Sequence, residues 1–135
     1  MSRVVLILCL LLAATPLAAV EENPTVIHFD SPKDRPEQFH FEQRPRDIEP
    51  EPSDVEMVHY DLMSNDLGER WALITFHNSS SGQRVLKDKQ VVAVFADGAR
   101  AYARNLDHRL DGGERFTQAV FFGFHKFPIV DVKTR

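Results

Sequence analysis

Cysteine is nearly missing from this chain: Cys9 is the only one. Disulfide scaffolds and multi-cysteine metal sites are thereby excluded, and a folded domain has to be held by its core alone. A long apolar run is missing too, because the most apolar stretch, Val4 to Ala14, falls short of the roughly 20 residues that a bilayer-spanning helix needs. Positive charge is not in excess: 16 Lys and Arg stand against 20 Asp and Glu, a formal net charge of -4. That balance argues against a nucleic-acid partner or an anionic membrane surface, either of which calls for a clustered basic face. There is no Gly-x-Ser-x-Gly turn around a serine nucleophile, no His-x-His pair and no internal repeat.

What is present begins with an export signal. Met1-Ser2-Arg3 supplies one positive charge, the apolar run follows, and Thr15-Pro16-Leu17-Ala18-Ala19 supplies small residues for cleavage. Residues 1–19 therefore read as a secretory signal peptide cut after Ala19, with an uncleaved N-terminal anchor as the alternative. The expected location is periplasmic or secreted. Cys9 lies inside the apolar run behind a bulky leucine, which disfavours lipidation.

Residues 20–54 and 55–135 differ in texture. Ten acidic residues between Glu21 and Asp54 face only Lys33, Arg35, Arg44 and Arg46, and six of the eight prolines lie in the same stretch. Proline removes backbone donors and like charges repel, so an extended acidic arm is expected, its last part from Arg44 to Ser53 serving as a linker. Two short alternating pieces, Val26 to Phe29 and Phe39 to Phe41, could rest on the folded part as edge strands or patches.

From Val55 onward, short apolar runs alternate with turn residues at even spacing, as in an all-β sandwich. Strands are expected at Met57–Met63, Arg70–His77, Arg84–Lys87, Val91–Ala96, Ala99–Arg104, Phe116–Phe122 and Phe127–Lys133. In the second of them, Ala72, Ile74 and Phe76 share one face, and Trp71, Leu73 and Thr75 share the other. The first set is the candidate core. Breakers close the runs at Asn78 to Gly82, Asp97-Gly98 and Asp111-Gly112-Gly113.

The succession of Asn78-Ser79-Ser80, Phe95-Ala96-Asp97-Gly98, Leu110-Asp111-Gly112-Gly113-Glu114 and a late aromatic strand resembles the immunoglobulin-like accessory domains of bacterial exported proteins, the telokin-like group. The resemblance covers about residues 69–132. It implies an immunoglobulin-like antiparallel β-sandwich and an extracytoplasmic setting, and it carries over no catalytic residues. The immunoglobulin cysteine pair is absent, which departs from antibody-type domains and suits the bacterial group.

Several chemistries can be weighed. Met57-x-His59 points two ligands to the same strand face, with Met63 two pleats further on that face, and thioether with imidazole suits a soft, exchangeable ion, so a copper-type carrier is the alternative reading. Ser79 to Ser81, His77 and Asp97 offer the residue types of a hydrolase, but at the spacing of a turn. Asn78-Ser79-Ser80 matches a glycosylation acceptor, relevant only to a eukaryotic source. The charged stretch Asp107-His108-Arg109 reads as a solvated loop. The feature that stands out is apolar character on both faces of several strands: Trp71 and Leu73 oppose the candidate core, and Phe121 opposes Val120 and Phe122. A sandwich buries only the inner face of each sheet, so the outer face calls for a cover. The cover is either the arm or another protein. The expected function is a non-catalytic binding or assembly module without cofactor, engaging a protein partner or itself through Trp71, Leu73 and Phe121.

Overall fold

The computed structural model describes residues 20–30 and 39–135; the signal-peptide assignment and Cys9 lie outside them. β3 (Glu69–His77) is the centre of the molecule. Its alternation is the expected one: Ala72, Ile74 and Phe76 are fully buried, whereas Trp71, Leu73 and Thr75 are partly exposed. β3 pairs with β2 (Glu56–Ser64) on one side and β8 (Arg115–Phe124) on the other, and β1 (His28–Phe29) adds a short edge to β2. A second sheet runs β6 (Arg100–Tyr102), β5 (Val92–Phe95), β9 (Ile129–Lys133), and β4 (Arg84–Lys87) pairs with β7 (Asp107–Leu110) in a two-stranded ribbon. Every pairing is antiparallel.

One core joins these pieces. Ile74, Phe76, Val120 and Phe122 of the first sheet meet Ala93, Phe95, Ile129 and Val132 of the second, with Leu86 and Leu110 closing the ribbon side. The chain is thus an all-β antiparallel sandwich. All seven expected strands are present, and β7 is an addition. Asp107 to Leu110, read as a solvated loop, is a strand because Leu110 turns into the core and the His108 ring stacks on Phe116 at 3.5 Å.

Two of the turn signals form one device. Asn78 is fully buried, and its Nδ2 donates to the carbonyls of Gly82 at 2.8 Å, Leu110 at 3.2 Å and Asp111 at 3.0 Å. Its backbone N–H donates to Glu114 O, and Gly113 N–H donates back to Asn78 O. Gly112 lies so close to the first turn that a Cβ there would sit 2.5 Å from Ser81 O. The Asn78 turn and the Leu110–Glu114 turn, 32 residues apart, are therefore locked together.

The arm departs from a free linker. Residues 39–54 contain no helix or strand, yet Pro50 is buried and the segment is fastened along the second sheet. Arg100, whose side chain is only 10% exposed, donates to Ile48 O at 3.1 Å and pairs with Glu49. Tyr102 Oη donates to Glu49 O, Gln90 to Pro52 O, and Glu51 N–H to Lys89 O, while Phe41 lies over Gly98. Proline and acid kept this segment out of regular structure, as composition implied, but its carbonyls still find donors on β6 and in the Asp88–Gln90 turn.

Candidate functional site

The arm covers an outer face, but of the second sheet. Val92 and Val94 point away from the core side of β5 and are nevertheless buried, with Phe39 and Phe41 of the arm beside Val94 and Arg100. Among the described residues of the arm, β1 and the adjoining Asp30 reach the first sheet: His28 pairs with Ser64 and Phe29 with Met63, and Asp30 N–H donates to Leu62 O. The described arm thus widens the face that holds Trp71.

Register places that face residue by residue. Met63, Trp71 and Phe121 are directly opposed across β2, β3 and β8, and Phe29 of β1 continues the row. Cross-strand partners project to the same side, so one apolar row crosses all four strands. The Trp71 and Phe121 rings are 4.6 Å apart. At the C-terminal end of β8, a bulge and the positive φ of Gly123 (96°) turn Phe124 outward, where it stands edge-on to Phe121 at 5.8 Å. Phe29 and Phe124 are 62% and 63% exposed, and with Trp71 and Phe121 between them they form a contiguous apolar patch rather than scattered residues. The next row is Asp61, Leu73, Ala119, then His59, Thr75, Thr117, then Glu56, His77, Arg115. The face grades from aromatic at one end to polar at the other.

Trp71, Leu73 and Phe121 lie on one face; the Val26 to Phe29 piece, expected to rest on the folded part, brings Phe29 beside them, and sequence reasoning missed Met63 and Phe124 as their neighbours. The row could have been found only by knowing the register. The indole N–H of Trp71 is enclosed without a hydrogen-bond partner, an arrangement that costs about 1–3 kcal/mol in a buried donor.

No family model matches the chain, and neither a curated protein nor a solved structure is significantly similar to it. The geometry carries the functional reading alone.

The alternative ligand set does not assemble. A bulge between Met57 and His59 inserts one residue into β2, so Met57 opposes Phe76 and packs on the core while His59 opposes Thr75 on the outside. Met63 is outward but lies beyond Asp61 in the aromatic row, and His59 Nε2 is 3.1 Å from Asp61. The same-face expectation for Met57 and His59 is corrected by that one extra residue. Among the described residues there is no group of three or more His, Cys, Asp or Glu side chains placed to hold a metal ion.

The residues weighed for hydrolysis are dispersed. His77 faces Glu56 at 3.7 Å on the outer face, Ser80 Oγ is bonded to Asn78 Oδ1 and Gly82 O, and Asp97 lies 3.6 Å from His125. The Asn78 nitrogen that a glycan would take is buried and occupied by three carbonyls, so the sequon is a structural turn. A shallow groove lined by His28, Asn65, Arg70, His125 and Lys126 opens at the β2–β3 turn. Arg70 is already committed there as a bracket, donating to the carbonyls of His125 at 3.0 Å and Lys126 at 3.3 Å.

Proposed function

We propose that this protein is a non-catalytic binding or assembly module, exported to the bacterial periplasm or envelope, whose interface is the outer face of the β1-β2-β3-β8 sheet. The observation that carries the reading is the row Phe29, Met63, Trp71, Phe121, which spans the whole sheet and, among the described residues, remains on the surface although the arm covers the equivalent face of the other sheet. Large rigid aromatics contribute contact area at low entropic cost, which is why Trp recurs at the centre of interfaces. The leader at residues 1–19 and the telokin-like turn order support the setting. The rim carries both charge signs: Glu56, Asp61 and Arg115.

Affinity capture from an envelope extract tests this. Wild type and Leu73→Asp are immobilised in parallel, since Leu73 sits in the middle of the face with its side chain away from the core. Proteins retained by wild type and released by the variant are the expected result. Equal retention by both would contradict the assignment of this face.

A further inference from the structure

Resting on that reading, we infer that the occupant of the face is a second copy of this chain, seated face to face about a two-fold axis that runs along β3. Among the described residues, both edges of the sheet are partly occupied. On β8, Arg104 N–H donates to Phe121 O, Asn105 Oδ1 accepts from Phe121 N–H, and Asn105 Nδ2 donates to Ala119 O. On β2, the bulge between Met57 and His59 breaks the regular ladder, and β1 occupies the far end. The larger free surface of the sheet is therefore its face.

That face is complementary to itself. An axis along β3 leaves position along the strand unchanged and exchanges left for right, so Trp71 and Leu73 meet their own copies while β2 of one chain lies over β8 of the other. Read from the register, Met63 then faces Phe121 of the second copy, His59 faces Thr117, and Asp61 faces Ala119. The outermost row gives Glu56 against Arg115 of the second copy, twice by symmetry. The aromatic row thus meets its own kind and the outermost row pairs acid with base, while Asp61 lies over the small Ala119. The two sheets run in the same direction, as aligned sandwich layers do. The overlap of β2, β3 and β8 over four rows presents roughly 400 Å² per copy, on the order of 800 Å² for the pair, which suits a weak, transient dimer.

Charge exchange across the axis tests the arrangement. Glu56→Arg, Arg115→Glu, the double variant and Leu73→Asp are compared with wild type in the full chain by sedimentation velocity over a concentration series. Thermal melting of each confirms folding, and both charged positions are on the surface. Each single reversal sets like charges against each other and is expected to weaken self-association roughly tenfold. The double variant restores it, because the pair is then Arg against Glu. A double variant as weak as the singles would overturn the two-fold arrangement. Association abolished by Leu73→Asp but indifferent to both reversals would also overturn it, while leaving the binding face intact. A wild-type chain that stays monomeric throughout would remove the second copy as the occupant.

Discussion

Replacing Asn78 by Ala should be among the most damaging single changes outside the apolar core. The side chain is fully buried, donates to three carbonyls, and accepts from Ser80 N–H at 3.1 Å and Ser80 Oγ at 2.7 Å. An intramolecular hydrogen bond contributes about 1 kcal/mol net, and a buried acceptor left without a donor adds its own penalty, so a loss of roughly 3–4 kcal/mol follows. A domain of this size has about 5–15 kcal/mol in all. At about 4–8 °C per kcal/mol, the melting midpoint should fall on the order of 15 °C or more. Circular dichroism melting measures it, with Asn78→Asp as the informative comparison. That variant keeps the oxygen that accepts from Ser80 but turns a second oxygen toward three carbonyls, so its loss should be at least as large. A midpoint lowered by less than about 5 °C in both variants would refute the view that this side chain locks the two turns.

Other outcomes follow from the same packing. Phe76→Ala removes a fully buried ring of the central strand and should cost about 3–5 kcal/mol, read as a lowered denaturation midpoint in urea. Arg100→Ala should release the arm: proteolysis in the exposed Arg44–Asp47 turn becomes faster and the thermal midpoint falls, whereas an unchanged rate would show that the arm is held elsewhere. N-terminal sequencing of the protein expressed with residues 1–19 in place should return a chain that starts at Val20, and a Met1 start would rule out cleavage.

The inward phase of β3 was legible because Ala72, Ile74 and Phe76 alternate with Trp71, Leu73 and Thr75 over an unbroken ladder in that segment. The same rule failed three residues after Val55, at Val58, where a bulge shifts the phase and separates Met57 from His59. Bulges are fixed by the backbone of the partner strand and leave little trace in composition. The arm's seat was partly legible. Five consecutive buried residues, Val91 to Phe95, lack alternation, which is the pattern of a strand covered on both faces, and β5 is covered on its outer side by the arm. What was not legible is which residues of a proline-rich segment would find donors, since Arg100 and Tyr102 are more than fifty residues away from Ile48 and Glu49 in sequence. β7 was hidden because Asp107-His108-Arg109 is charged, although Leu110 and the His108 ring bind it to the rest. Phe29 and Phe124 join the aromatic row through register and a positive-φ glycine, neither of which a single sequence displays.

The central claim is that the outer face of β3 is surface in the isolated chain and is covered on binding. Acrylamide quenching of the emission of Trp71, the only tryptophan, reports on that face directly. The account predicts measurable quenching in dilute protein, which falls when the protein is concentrated or an envelope fraction is added. Quenching that is unchanged from dilute to concentrated protein and indifferent to the extract would contradict it.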